Sequence, residues 1–518
     1  MKTIKAVILI VTIIGSSVLT KANNINISNV ASGTNATGLY LTFDLSWENS
    51  WHNSTNWDAA WVFFKFKDFD GAWHHLNLTG DNTNISSGYI INTTDSTGAM
   101  IYRSADGYGT VTLTGVQVGV QNLPGSFDIR SFAIEMVQIP QNVPFYVGDG
   151  SGAGSNMQTG TSGLPFLINT PASGITFGTA AGNLNDGALS TPLASGFPIG
   201  YANTNKPNYL MKHEISQGAY RDFLNCLTYT QQANRTIVSA PPNSAAGTTA
   251  FGGFVRNKIT IKTSGVASTT PAVYSCNGNG NALYDEATDG EWVACNYIAG
   301  PDVLAFLDWA ALRPMTDYEY EKACRGPLTP KPFEFAWGDT AISRVVYTSI
   351  NQGAANEGVT YTPTSVFNGN AVIGGLFIPS GPARVGMHAT ASSTRITSGA
   401  GYYGALDLTG NVNELAVNST GVAGRSFTGI SGDGELNTSG DANEDYWPGI
   451  NGNTTTTIAN TIYGGVTGTA GNAGWGNRGS SYNGTIGTNT QICYRLVGGG
   501  AGSLTRSSTT GGRGVKSW

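Results

Sequence analysis

Charge is what this sequence has least of. Only 12% of its 518 residues are Asp, Glu, Lys or Arg, and the formal net charge is −6. No Lys/Arg cluster occurs anywhere, which argues against nucleic acid and anionic membrane as main partners. Beyond the first segment, no apolar run approaches the ~18 to 20 residues that a membrane span requires. Cysteine is as scarce: the five (Cys226, Cys276, Cys295, Cys324, Cys493) are an odd set, so at most two disulfides can form and at least one sulfur is left over. None lies in a Cys-x-x-Cys pair, which disfavours a structural zinc. His74 and His75 are adjacent in an expected strand and would point to opposite faces, a poor arrangement for a shared metal, and no histidine follows His388.

What fills the space is glycine, 70 residues of it, together with Asn, Ser and Thr. That mixture suits turns, short strands and long ordered loops better than helical bundles. The length predicts two or three domains. The opening segment, residues 1–22, carries Lys2 and Lys5 ahead of an apolar run from Ala6 to Ile14 and ends in Thr20-Lys21-Ala22. It reads as a secretory signal peptide, so the mature chain is expected to be secreted, periplasmic or at the cell surface.

From residue 23 to 133 the pattern has period two. Leu39, Leu41, Phe43, Leu45 and Trp47 alternate with polar residues, and the runs at 60–68, 110–120 and 126–136 repeat the theme. An antiparallel β-sandwich domain is expected here. Its Trp47, Trp51, Trp57, Trp61 and Trp73 read as core or as a carbohydrate platform. From 134 to 518 the texture changes, and a second, irregular α+β domain is expected. Ser216 caps one expected helix, Pro301 opens a second, and Thr316 with Glu319 forms a capping box for a third that Gly326 ends. The stretch from Thr390 to Asn477 is loop-rich.

Six motifs in order across residues 134–518 resemble the formylglycine-generating enzyme family, also called the sulfatase-modifying factor domain. EMVQIPQNVPFYVGD (135–149) resembles the family's opening strand, and YLMKHEISQGAYRDFLN its first helix entry. RPMTDYEYEKACRG with FAWGD (335–339) is similar to the Arg-Leu-Pro-Thr-Glu helix and its Trp-Gly-Asp follow-on. LDLTGNVNEL, RGSSY (478–482) and GGRGVK are similar to the Gly-Asn-Val-Trp-Glu-Trp, Arg-Gly-Gly-Ser-Tyr and closing Gly-Phe-Arg-Val segments. The resemblance implies a variant C-type-lectin-like fold. It also implies calcium, held by Asp407, Gly410, Val412 and Glu414, and a second calcium at Ser349 and Ile350. Hard oxygen ligands from two carboxylates and turn carbonyls suit that ion. Asp441, Asn443 and Asp445 imitate an EF-hand loop, but Tyr446 and Gly452 break it, so this stretch reads as a solvated loop.

The family's enzymes hold copper(I) between two cysteines and oxidise a substrate cysteine. Here only Cys493 remains; the other position falls at Asn483 or Gly484, and two soft thiolates are what Cu(I) wants. Copper binding is therefore not expected. Asn413 replaces the family's indole, and Ser481, Tyr482 and Arg495 complete the expected ligand-binding surface. Cys324 matches a bridge position whose partner position, near Gly498, has no cysteine. The expectation is a non-catalytic, exported sulfatase-modifying-factor-like protein that binds a protein, peptide or glycan at its C-terminal loops. Two alternatives stand beside it: an enzyme acting through Cys493, with Arg495 as the neighbouring cation that lowers a thiol's pKa, and a self-associating surface protein.

Overall fold

The structure, a computed structural model, describes residues 24–517 apart from 124–127, 152–156, 187–191, 202–207, 253–254, 361–367, 420–421, 445–446, 449–473, 488–489 and 496–505. The signal-like segment 1–22, and Asp445, Tyr446, Gly452 and Gly498, lie outside the described residues.

The fold is an irregular α+β arrangement made mostly of antiparallel sheets. The first sheet contains β1 (Asn26–Asn35), β2 (Gly38–His52) and β7 (Gly107–Gly119), in the order β1-β2-β7. The second contains β3 (Asp58–Lys67), β4 (Trp73–His75), β5 (Tyr89–Asn92), β6 (Ala99–Arg103) and β8 (Asp128–Ile139). Short pairs follow: β9 (Phe145–Val147) with β11 (Phe166–Ile168), and β10 (Gln158–Thr159) with β12 (Leu184–Asn185). Strand β13 (Asn208–Met211) leads to α1 (Gln217–Leu224) and α2 (Tyr229–Arg235), and then to the hairpin β14 (Ile259–Thr263) and β15 (Val273–Cys276). Next come α3 (Gly300–Trp309), β16 (Arg313–Pro314) and α4 (Asp317–Arg325). A small sheet gathers β17 (Tyr347–Ile350), β18 (Gly358–Val359) and β19 (Phe377–Ile378). Another gathers β20 (Asn413–Val417), β21 (Trp475–Arg478) and β22 (Thr510–Gly511), after which β23 (Gly514–Ser517) follows.

The expected division at 133/134 does not hold. It falls inside β8, which pairs with β3 from Lys67↔Asp128 to Asp58↔Val137 and with β13 from Met211↔Met136 to Asn208↔Ile139. One sheet therefore runs β16-β23-β13-β8-β3-β6-β5, with strands from both sides of the expected boundary. The reason is visible in β3. Ala60, Val62 and Phe64 enter the sandwich core with Leu41, Phe43, Leu45, Val111 and Val118, while Ala59, Trp61 and Phe63 enter the larger core beneath α3. A strand apolar on both faces needs a layer on each, so it joins two cores instead of ending one. Trp61 donates to the Ala310 carbonyl at 2.9 Å, and Phe63 meets Trp309 edge-on at 5.2 Å between ring centres.

The three helix starts that the sequence predicts are present, while the start of α2 at the Thr228 cap is one it does not predict. Ser216 Oγ accepts from Ala219 N at 3.2 Å, and Thr316 and Glu319 form their reciprocal box. Gly326 ends α4 at φ +63°, where an added Cβ would lie 2.3 Å from the Tyr402 ring. Both α3 and α4 are buried along their whole length, α4 with Asp317, Glu321, Lys322 and Arg325 inside. Among the described residues no helix is long and apolar enough to cross a membrane. All five cysteines are free and buried.

Candidate functional site

Cys493 sits in a closed, ion-paired interior. It is 1% exposed, and burial pushes its thiol well above the ordinary range, with the Asp149 and Glu321 charges and a hydrogen bond to Asp149 adding to the effect. The charge of Arg495 draws the thiol down, but burial and the two carboxylates outweigh it. Its guanidinium pairs with Glu321 and, at 3.5 Å, with Asp317. Arg478 also reaches both carboxylates, at 3.7 and 3.6 Å, and Arg325 reaches Glu321 at 3.1 Å. Burial alone would raise Glu321, yet Arg495, Arg325 and Arg478 together hold it below its ordinary value.

The other expected ligand residues are Ser481, Tyr482 and Asn413. Ser481 and Tyr482 are buried, and Tyr482 N donates to the Asn411 carbonyl at 2.8 Å. Asn413 opens β20, its N–H bonded to Thr509 at 2.8 Å.

The loop expected to hold calcium is bent as its sequence requires. Asp407, Gly410 and Asn411 have φ of +57°, +91° and +60°, and a Cβ on Gly410 would lie 2.6 Å from the Val372 carbonyl. Asp407 accepts from Gly386 N, and Glu414 Oε1 pairs with Arg513. A third carboxylate, Glu214, accepts from Val412 N at 3.0 Å and from the Asn411 side chain. All three are buried. Burial, then the charges of Asp407 and Glu414, raise Glu214 well above its ordinary value, and burial raises Glu414 to about 7 despite Arg513. Glu414 Oε2 is buried with no hydrogen-bond partner. The charge of the set fits a cation: three carboxylates meet one contacting arginine, and an oxygen is left over. The sequence reading missed Glu214, taking its segment only as a helix entry.

At the second expected site Ser349 is buried with its Oγ unpartnered, while Ile350 faces outward. Glu357, on the turn before β18, is taken up by Arg256 and by the Gly353 and Arg384 N–H groups. Among the described residues, Asp, Glu, His and Cys ligand atoms come within 4.8 Å in threes at Asp68-Asp70-His74 and at Asp308-Asp433-Glu444, neither of which includes an expected calcium ligand. The loop read as solvated is docked instead: Asp441 is buried against Arg235 at 2.8 Å.

Two clefts flank the turn Lys212-His213-Glu214. The larger, about 530 Å³, opens between the end of β2, the start of β7 and the loop at 389–406. Its walls include Trp51, Tyr108, Tyr402, Thr394 and Arg395, with Lys212 and His213 at its floor. Trp51 is half-buried; an added Cβ on Gly404 would lie 2.8 Å from the indole, so only glycine lets that loop approach so closely. Tyr108 is 75% exposed, and Lys212 Nζ lies 5.0 Å from the centre of the Trp51 ring. Trp47 and Trp61 are fully buried, so of the five tryptophans singled out in the sequence Trp51 is the one at this cleft. The smaller cleft, about 200 Å³, lies on the other side of His213, against β8 and α1. No family model matches this sequence, and no curated protein matches it.

Proposed function

We propose that this chain is an exported, non-catalytic binding protein of the formylglycine-generating-enzyme type, and that the 530 Å³ cleft seats a glycan. The observation that carries the reading is the contrast between its two candidate sites. The only thiol at the expected catalytic position is raised well above its ordinary range, by burial first and then by the Asp149 and Glu321 charges, with its neighbouring arginine paired to Glu321. The cleft offers what sugar recognition uses, an indole and phenol faces beside hydroxyl and cationic donors. Calcium belongs to the same proposal as a structural ion. Asp407 and Glu414, with the carbonyls of Gly410 and Val412, would hold it, and it would neutralise the carboxylates that Arg513 leaves uncompensated.

The test is binding of the mature protein to an immobilised glycan array, repeated with Trp51→Ala and with the surface variant Tyr108→Ala. Loss of binding in both, with the fold retained by circular dichroism, supports the reading. Binding that survives both variants would remove the cleft from it. Conversion of a Cys-x-Pro-x-Arg peptide to formylglycine in the presence of copper and oxygen would make the chain an enzyme.

A further inference from the structure

The turn between β3 and β4 carries a group of side chains that the readings above do not use. Its sequence is Asp68-Phe69-Asp70-Gly71-Ala72, and it closes with Asp68 N donating to the Ala72 carbonyl at 2.8 Å and Gly71 N to the Asp68 carbonyl at 3.0 Å. Register then places the histidines beyond it. β4 pairs with β3 through Phe66↔His74 and Lys65↔His75, so the two imidazoles leave opposite faces of the strand. His75 goes inward, its Nδ1 3.0 Å from Lys65 Nζ and its Nε2 2.6 Å from the Thr97 carbonyl. His74 stays half-buried at the surface, where it, Asp68 and Asp70 bring three ligand atoms within 4.8 Å of one another.

This is a mixed donor set, one imidazole with two carboxylates, and its spacing is not that of an ion pair. His74 Nε2 lies 3.8 Å from Asp68 Oδ2, and Nδ1 lies 3.5 Å from Glu435 Oε2. An imidazolium that carboxylates hold by hydrogen bonds draws them to about 2.7 to 2.9 Å. Here neither nitrogen has closed on an oxygen, and Nε2 makes no hydrogen bond. Ligands on metal bonds of about 2.0 to 2.2 Å stand roughly 3 to 4 Å apart. Small rotations of the two exposed aspartates reach that spacing from the one observed. Each aspartate keeps an oxygen to give: Asp68 Oδ1 accepts from Phe69 N and Asp70 Oδ1 from Ala72 N, which leaves Oδ2 of both. A second observation lies behind the ring. Glu435 Oε1 accepts from His75 N at 2.5 Å, and this holds Oε2 beside His74 Nδ1. A carboxylate on one nitrogen of an imidazole fixes its tautomer and leaves the other nitrogen as the donor to a metal.

We propose that Asp68, Asp70 and His74 bind a divalent transition metal of the zinc class, with Glu435 as the positioning residue for the imidazole. The nitrogen donor disfavours calcium and magnesium, which take oxygen ligands. Three protein ligands leave a fourth position open to water or to a molecule in the adjoining cleft. That cleft, about 340 Å³, is bounded by Trp73, His74, Trp309 and Glu435. The site is separate from the calcium loop and does not depend on the glycan reading.

Isothermal titration of the full chain with zinc chloride tests it, with calcium chloride as the oxygen-ligand control. Zinc should bind as one equivalent that excess calcium does not displace. His74→Ala should abolish this binding, and Asp70→Asn should weaken it about tenfold or more. Glu435→Gln keeps an oxygen for His75 N, so it should weaken zinc about tenfold while the metal-free protein melts as the parent does. If His74→Ala does not fold, the double change Asp68→Asn with Asp70→Asn, at exposed positions, should abolish binding in its place. His52, 2.9 Å from Asp106, is a second histidine beside an aspartate, and His52→Ala should leave the affinity unchanged. No zinc binding, displacement by calcium, or unchanged affinity in folded His74→Ala or in the double variant would overturn the proposal. So would a loss shared equally with His52→Ala, the mark of an adventitious ion only.

Discussion

Two of the dense charge groups in the described interior are built on opposite plans. Around α4, Asp317, Glu321 and Glu334 meet Arg325, Arg478 and Arg495, three acids against three arginines in mutual contact. Around the turn after β13, the carboxylates Asp58, Glu135, Glu214, Asp407 and Glu414 are in direct ion contact with only Lys212 and Arg513. Buried charge is tolerated where it is paired and hydrogen-bonded. The first group meets that condition and ties the helix to the strands and loops around it. The second does not, and it leaves Glu135 Oε1 and Glu414 Oε2 buried without a hydrogen-bond partner. The comparison teaches that buried acids keep their ordinary charge only where counter-charges suffice: burial raises Glu135, Glu214 and Glu414, while the arginines hold Glu321 down.

The largest expected effect breaks the balanced group. Glu321→Gln removes the carboxylate that all three arginines share and leaves them against only Asp317 and Glu334, and should lower the unfolding free energy by about 3 to 5 kcal/mol in urea denaturation. A loss under about 1 kcal/mol would mean that the two groups do not differ as described. The acid-rich group should answer to calcium. Chelation should destabilise the protein by about 2 to 3 kcal/mol if the ion is present at roughly a hundredfold over its dissociation constant, and Asp407→Asn should remove that response. An identical melting curve in chelator would leave Arg513 as the only counter-ion.

The same group should also show a dependence on pH. Glu414 titrates near 7 in the folded chain and near 4.5 unfolded, so the folded state holds the extra proton between these values. That contribution is complete below pH 4.5 and is lost as pH rises through 7. Metal-free protein should therefore be more stable at pH 5 than at pH 8, with bound calcium reducing the difference. A flat profile without calcium would show that Arg513 keeps Glu414 ionised throughout. The smallest effect belongs to Cys493→Ser. It exchanges an inert thiol and should cost about 1 kcal/mol while leaving glycan binding unchanged. Loss of function in the folded variant would return the thiol to consideration as a nucleophile.

Local chemistry was legible in the sequence where it depends on residues a few positions apart. Ser216, Pro301, Thr316 with Glu319, and Gly326 mark helix ends because capping is a short-range matter of one oxygen and one N–H. The tight turn at Gly410-Asn411 was legible for the same reason, though not its left-handed backbone. What was missed lies at long range. Glu214 reaches Val412, and Glu414 reaches Arg513, across about 200 and 100 residues. The boundary at 133/134 failed because the shift to helical texture after residue 134 was taken for the end of a domain. The run AWVFFKF is apolar on both faces, and that pattern says a strand is covered twice without saying by what.

The placement of β23 has a consequence for how the chain reaches this state. Gly514–Ser517 is inserted between β13 and β16, and β16 reaches the large sheet only through it. Strands formed from the first 140 residues thus share a hydrogen-bonded layer with the last few. Closing that layer joins segments separated by nearly the whole sequence, a high contact order that slows folding. During synthesis the sandwich half can collapse early. The edge of β13 that awaits β23 stays open until Gly514–Ser517 emerge, and for that interval the sheet presents an unpaired strand, the state in which a β-protein is most exposed to pairing with the wrong chain.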